Sequence, residues 1–296
     1  IPIIHTLKES LAANQIQEIM DILNGTTNYI LTQMAEKGLD FSVCLQEAQK
    51  LGYAEANPTN DVEGFDAARK VAILASIAFN SRITDDQVYV EGITKISDRD
   101  IMYAKELGYV LKTVGIAKES ESGIEARVHP MMIPTDHPLS SVNDVYNAVF
   151  VEGFPIGKTM FYGKGAGEFP TASAVVGDII MATRDIHSNT RARIGCTCFE
   201  HKRIKPIGEA VCKYYIRLTV TDKPGVLAQI TKILGEQEVS IATVLQACTF
   251  ADGRAELVLV THQVAEAHMR KAIDEIKALQ CVSEIGNVIR VAGENN

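Results

Sequence analysis

Between Gly52 and Lys70 the chain reads Gly-Tyr-Ala-Glu-Ala-Asn-Pro-Thr-Asn-Asp-Val-Glu-Gly-Phe-Asp-Ala-Ala-Arg-Lys, which puts four carboxylates and two cations into nineteen residues. Asn57-Pro58 marks a turn, and Asn60 or Asp61 can cap a helix that continues to about Phe79. On such a helix Glu63, Asp66 and Lys70 share one stripe, with Asp66 and Lys70 at the favourable acid-before-base i,i+4 spacing. Val71 to Phe79 is apolar or small on every side except Ser76, the pattern of a helix buried all round, so Lys70 is expected where water runs out. Charges in such a place either pair with one another, as an ordinary i,i+4 surface pair does, or line a polar cavity that holds a zwitterion.

Two further stretches carry chemistry. Asn24-Gly25-Thr26-Thr27-Asn28 lies between a strand pattern and a helix pattern, which offers backbone N–H groups and hydroxyls at a helix N-terminus to a carboxylate or phosphate, or simply caps the helix. Met160-Phe-Tyr-Gly163-Lys-Gly165-Ala-Gly167-Glu-Phe-Pro170-Thr171 reads as a glycine-rich loop before a helix that starts near Pro170 and runs to about Ile186. Such glycines let a ligand approach the backbone, or serve close packing. Their spacing is not the dinucleotide fingerprint G-x-G-x-x-G.

The elements that must position these residues follow from periodicity. A helix is expected over Thr6 to Ala13, a strand over Ile16 to Leu23, and an amphipathic helix over Phe41 to Leu51 that Gly52 ends. After an irregular segment from Gly92-Ile93 comes a helix from about Asp98 to Leu107. Strands are expected at Tyr109 to Ala117, Ile124 to Val128 and Ala148 to Glu152, forming a sheet against the earlier helices, with His129-Pro130 and His137-Pro138 in loops. Ser188 to Cys212, with Arg191, Arg193, Lys202, Arg203, Lys205 and Pro206, reads as a polar, basic linker.

A second domain is expected from Lys213. Ile216, Leu218 and Val220 alternate as a strand, and Asp222-Lys-Pro-Gly225 turns the chain into a helix striped by Val226, Leu227, Ile230, Ile233 and Leu234. Val239 to Phe250 and Ala255 to Thr261 flank an Asp252-Gly253 turn. Met269, Ala272, Ile273, Ile276 and Leu279 stripe a second helix, and Val282 to Val291 closes a βαββαβ order. The fold class is α+β: a mixed-sheet domain with packed helices over 1–190, a linker over 191–212, and a βαββαβ domain over 213–296.

Composition narrows the function. With 37 acidic against 29 basic residues the net charge is −8, and no basic block is interleaved with aromatics, so nucleic acid is not an expected partner. The apolar runs are too short to span a bilayer and no secretory pattern opens the chain, so a cytoplasmic, membrane-free protein is expected. Ile1-Pro2-Ile3-Ile4, with no methionine, reads as cut from something longer. The six scattered cysteines read as free thiols in a reducing compartment; Cys196-x-Cys198 with His201 is half of a metal-ligand set with no second half, so no metal is expected.

Ile1-Pro-Ile-Ile4, Asn24-Gly-Thr-Thr-Asn-Tyr29, Gly52-Tyr-Ala-Glu55, Asp61, Asp66-Ala-Ala-Arg-Lys70 and Gly165-Ala-Gly-Glu-Phe-Pro-Thr-Ala-Ser together resemble the homoserine dehydrogenases, and the tail resembles an ACT domain, of ferredoxin-like fold. The resemblance implies NAD- or NADP-dependent interconversion of L-homoserine and L-aspartate 4-semialdehyde, in threonine and methionine biosynthesis. It makes Lys70 the general acid/base or electrostatic partner at the alcohol oxygen, with Asp66 orienting it. Both roles stand. By the same resemblance Thr26, Tyr53, Glu55 and Asp61 hold the amino acid; Gly25, Gly165, Gly167 and Glu168 border the cofactor; and Asp222, Pro224 and Gly225 meet an amino-acid effector such as threonine. It further implies a homo-oligomer, dimer or tetramer, and a chain that begins after the nucleotide-binding domain and a sodium-binding loop, so that hydride transfer by this chain alone is not expected. The alternative is a non-catalytic ACT-type amino-acid sensor and dimerisation module.

Overall fold

The computed structural model describes residues 1–190 and 194–293, with only the backbone of 247–249. Arg191, Arg193 and the Cys248 thiol lie outside the described residues. In chain order the elements are α1 (Ile3–His5), continued by a π-helical turn (Thr6–Ser10), β1 (Gln15–Ile22), α2 (Gly25–Lys37), α3 (Phe41–Lys50), α4 (Thr59–Val62), α5 (Phe65–Ala78), β2 (Tyr89–Val90), α6 (Asp98–Glu106), β3 (Tyr109–Ser120), β4 (Gly123–Pro134), β5 (Tyr146–Phe154), β6 (Gly157–Lys164), α7 (Glu168–His187), β7 (Val211–Thr221), α8 (Val226–Glu236), β8 (Ile241–Thr249), β9 (Arg254–Thr261), β10 (Val264–Ala265), α9 (Glu266–Lys277) and β11 (Val282–Val291). The first helical segment thus lies a few residues earlier than its apolar spacing predicts. The elements group into two compact units, one of Ile1–Thr94, Lys112–His129 and His137–Lys205, the other of Lys95–Leu111, Pro130–Asp136 and Pro206–Asn296.

In the first unit the strand order is β6-β5-β1-β3-β4, with β1 antiparallel to both β3 and β5 and the short β2 parallel to β4. One face of this sheet meets α5: Ala67, Ala68, Val71, Ala72, Leu74 and Ala75 pack with Ile19 of β1, Ala117 of β3 and Val149 and Val151 of β5. Each fully buried branched side chain here contributes about 1.5–3 kcal/mol.

Several expectations are corrected in this unit. The single helix from Asn60 to Phe79 is two, because Gly64 takes a left-handed φ of 85° between α4 and α5. A Cβ at Gly64 would stand 3.1 Å from Val90 Cγ1 and 3.3 Å from Val128 Cγ1, so the break lets the chain pass close over β2 and β4. Glu63 therefore leaves the stripe of Asp66 and Lys70, and accepts instead from Thr94 Oγ1 at 3.3 Å. Nor is α5 buried all round: Ile73 is 54% exposed.

His129-Pro130 is not a loop. It lies inside β4, which continues past Val128 through the buried Met131, Met132 and Ile133, and His129 is buried. The stretch expected as a glycine loop from Met160 begins as β6, antiparallel to β5, so Gly163 is a strand residue and only Gly165 and Gly167 lie in the turn before α7. The basic stretch expected as linker makes two bridges within this unit, Ser81 with Glu200 and Ile124 with Ile204.

In the second unit β11-β7-β9-β8 are antiparallel neighbours, with the end of β4 parallel to β11. Tyr214, Ile216, Leu218 and Val220 of β7 face α8 and α9 through Ile230, Leu234, Met269, Ala272 and Ile276. Alternation sends Tyr215 and Arg217 to the other face, where α6 lies. There Asp100 accepts from Arg217 Nε at 2.8 Å and Asn287 Nδ2 at 2.9 Å, while Glu256 accepts from Tyr103 Oη at 2.6 Å and Arg99 Nη1 at 3.0 Å. Asp100 and Glu256 are buried, so each charge is compensated by several donors, which is the condition for burying it.

Candidate active site

The loop from β1 into α2 and the turn around α4 and α5 bring the carboxylates of the Gly52–Lys70 stretch together. Asn24 is the N-cap of α2: its Oδ1 accepts from the Thr27 N–H at 2.9 Å. The other end of the same amide donates to Asp61 Oδ1 at 2.7 Å and to Asp66 Oδ2 at 3.0 Å. Asp66 Oδ2 also accepts from Lys70 Nζ at 2.6 Å, and Lys70 donates to the Leu23 carbonyl at 3.1 Å. One amide, two carboxylates and one ammonium therefore form a connected network at the end of β1. Lys70 is not where water runs out. Its side chain is 45% exposed and that of Asp66 32%, because the lysine leaves the core-facing stripe just before Val71 enters it.

A second set sits at the same helix start. Thr26 Oγ1 donates to the Tyr53 carbonyl at 2.6 Å, and the exposed Tyr53 ring meets Tyr29 edge-on at 5.0 Å. This ties the Gly52–Glu55 turn to α2. Glu55 is exposed, and its carbonyl accepts from Gln49 Nε2 at 3.0 Å. Gly25 is needed for space: a Cβ there would lie 2.9 Å from the Val145 carbonyl oxygen.

The segment that crowds Gly25 is itself clamped from below. Asn28 Nδ2 lies within hydrogen-bonding distance of the carbonyls of Val142, Asp144 and Tyr146, and the buried Lys112 Nζ donates to Asn28 Oδ1 at 3.2 Å and Asn143 Oδ1 at 2.9 Å. Burial pulls Lys112 down to about 8, against the charges of Asp144 and Glu36.

Gly165 and Gly167 border this region for different reasons. A Cβ on Gly165 would strike Asn147 Oδ1, whose amide donates to the Ile22 carbonyl at 2.9 Å, so the turn is pressed against the end of β1. Gly167 has a φ of 113° and precedes α7, with Glu168 exposed in its first turn. None of the residues of α7 is buried.

Under the network lies a buried acid that the residue pattern did not single out. Asp21 of β1 is 1% exposed, and neither carboxyl oxygen makes a hydrogen bond of normal geometry. It faces Gly115 on β3, where a Cβ would meet both Asp21 Oδ1 and Val71 Cγ2 at 2.3 Å. Burial pushes Asp21 up to about 8, against the pull of the Gly115 backbone and the Lys70 charge.

In the second unit Asp222, Pro224 and Gly225 line a cavity of about 390 Å³ with Val226, Leu227 and Gln246, and Gln246 Nε2 donates to Asp222 Oδ1 at 3.3 Å. Gly225, at a φ of 89°, opens α8 there.

Asn24 is the residue that the motif reading passed over, taking the Asn-Gly-Thr-Thr turn for its hydroxyls and backbone. Its capping role was signalled by sequence; its bridge to Asp61 and Asp66 was not. Asn24→Ala is expected to lower stability by about 1 kcal/mol through the lost cap. It should also release both carboxylates, seen as a weaker response to an amino-acid ligand in a titration; unchanged binding would show that the bridge holds nothing in place.

Residues 2–180 match the homoserine dehydrogenase family and residues 214–281 the ACT domain family. The chain is 47% identical over 300 residues to the homoserine dehydrogenase of Synechocystis sp., covering 98% of this chain and 69% of that protein. The crystal structure of a homoserine dehydrogenase from Thiobacillus denitrificans superposes with a TM-score of 0.93 at 42% identity, over 99% of this chain and 68% of that one. A hyperthermophilic archaeal homoserine dehydrogenase solved in complex with NADPH is 29% identical with a TM-score of 0.53, over 62% of this chain and 52% of that one. No helix among the described residues is long and apolar enough to cross a membrane. The chain belongs to the homoserine dehydrogenase family and carries an ACT domain after its homoserine dehydrogenase region.

Proposed function

We propose that these residues form the substrate side of a homoserine dehydrogenase, in which L-homoserine and L-aspartate 4-semialdehyde are interconverted with NAD or NADP, and that the ACT domain takes an amino-acid effector such as threonine. The observation that carries the first reading is the network of Asn24, Asp61, Asp66 and Lys70. Asp61 and Glu55 supply negative charge for the substrate ammonium. Thr26 and Tyr53 fix the turn that bears Glu55, through the bond of 2.6 Å between them. Lys70 has three donors, of which Asp66 and the Leu23 carbonyl take two, leaving one for an alcohol or carbonyl oxygen.

The nicotinamide cofactor, when bound, supplies or accepts the hydride. The rim from Gly165 to Glu168 suits its approach: it is exposed and ends at the first N–H groups of a twenty-residue helix, which no intrahelical carbonyl can reach. The carboxylate of Glu168 favours a hydroxyl-bearing ribose over a pyrophosphate at that spot. Lys70 then holds or moves the proton at the substrate oxygen while Asp66 fixes its position. A homo-oligomer is the expected assembly.

Calorimetric titration of the chain with L-homoserine should show binding that Asp61→Asn weakens, and titration with threonine should show a second event that Asp222→Ala removes while leaving the first. Absence of the homoserine event would overturn the enzymatic reading. Absence of the threonine event alone would remove that effector and leave the substrate site standing.

A further inference from the structure

Cys196-x-Cys198 sits on the segment that the substrate site does not use, and the two sulfurs are in contact. The Cys198 backbone N–H donates to Cys196 Sγ, and the two thiols are within hydrogen-bonding reach of each other. The chain bends here, with the Phe199 N–H donating to the Thr197 carbonyl at 3.0 Å. The two cysteines differ in surroundings. Cys196 is exposed, and its thiolate is favoured first by the hydrogen bonds from Cys198 and then by the charges of Lys8 and Arg82. Cys198 is half-buried, with its Sγ 3.6 Å from the Ser76 carbonyl of α5, and burial together with the neighbouring Cys196 favours its thiol. The chain beyond is held on the end of α5, since the Glu200 N–H donates to the Asn80 carbonyl at 2.9 Å and Lys202 Nζ to the Phe79 carbonyl at 2.9 Å.

We propose that Cys196 and Cys198 form a dithiol modification site, which a small hydroperoxide converts to an intrachain disulfide. An exposed sulfur that carries thiolate character is the one an oxidant reaches first, and a thiol in contact with it is the one placed to resolve the product. The Cys196 thiolate attacks the terminal oxygen of the hydroperoxide; the S–O bond forms, the O–O bond breaks, and the alkoxide leaves as alcohol, or as water from hydrogen peroxide, after taking a proton from solvent. The Cys198 sulfur then attacks the sulfenic sulfur; the S–S bond forms, the S–O bond breaks, and the hydroxyl leaves with the Cys198 proton as water. Two thiols are oxidised by two electrons, and the hydroperoxide is reduced by two. The other described thiols are worse placed: Cys44 and Cys212 are buried, and Cys281 meets Gln229 Oε1 at 3.9 Å.

The test is brief treatment of the reduced chain with equimolar hydrogen peroxide, followed by non-reducing tryptic mass analysis of the peptide Ile194–Lys202, which contains both cysteines. The expected product has lost the mass of two hydrogen atoms and regains them with a thiol reductant. In Cys198→Ser the sulfenic acid on Cys196 should persist and be trapped by a dione reagent, whereas the parent traps little. Cys196→Ser should slow oxidation of the peptide at least tenfold. The substitutions replace sulfur by oxygen at one exposed and one half-buried position, and unchanged circular dichroism would confirm that they fold. Sulfinic acid on Cys196 with no disulfide, a disulfide between chains, or faster oxidation at another cysteine would each overturn the proposal.

Discussion

Lys70→Ala is expected to lower turnover of homoserine by about a hundred- to ten-thousand-fold, the usual worth of a positioned proton-transfer group, while homoserine still binds. The measurement is nicotinamide-linked turnover at saturating substrate in an assembled enzyme that includes these residues with a nicotinamide-binding unit. The loss is assigned to chemistry because the geometry makes Lys70 cheap to remove from the fold. It is 45% exposed, and its pair with Asp66 is an i,i+4 surface pair worth at most about 1 kcal/mol. Asp66 keeps its bond from Asn24 when the lysine is gone, so the carboxylates stay in place. Lys70→Arg should recover part of the charge but not the compact donor that Asp66 and the Leu23 carbonyl orient, and should stay well below the parent. Near-normal turnover of Lys70→Ala at saturating homoserine would remove Lys70 from the chemistry.

Asp21→Asn is expected to change how stability depends on pH. Unfolded, the carboxyl loses its proton near 3.8; folded, it keeps it up to about 8. Between those values the native state holds one more proton than the unfolded state, so this group makes stability fall as pH rises through the window and stay flat above it. The full effect is on the order of a few kcal/mol. The amide cannot ionise and fits the same space against Gly115, so urea denaturation should show the variant gaining on the parent between pH 5 and pH 8. Equal differences at both pH values would mean that Asp21 titrates normally.

Lys112 acts in a different window. Its folded value of about 8 lies below the ordinary 10.5, so the unfolded state holds the extra proton between them and stability rises with pH there. The two substitutions first discussed are also coupled. The Lys70 charge pulls Asp21 down, so Lys70→Ala should raise the pH at which Asp21 ionises and carry to higher pH the fall in stability that Asp21→Asn abolishes.

The pairing of Asp66 with Lys70 was legible from the chain alone because it depends only on helical period, and the bond is 2.6 Å long. The capping turn before α2 and the βαββαβ order of the tail were legible for the same reason, since each rests on residues a few positions apart. Gly64 was a local signal too, but nothing in one dimension says whether a glycine is tolerated in a helix or breaks it. The nearness of Val90 and Val128 decides that.

What only the tertiary structure decided are the meetings of residues far apart in the chain. Asn24 reaches Asp61 and Asp66 across about forty positions, and Asp100 of α6 finds Arg217 and Asn287 on the ACT strands. Asp21 gave no sign in sequence of being a buried acid, because a lone aspartate in a strand pattern usually faces solvent. It is buried because Gly115 leaves room for its carboxyl beside Val71. Local periodicity determines which face of an element a side chain occupies; only packing determines what that face meets, and with it the charge and exposure on which the chemistry depends.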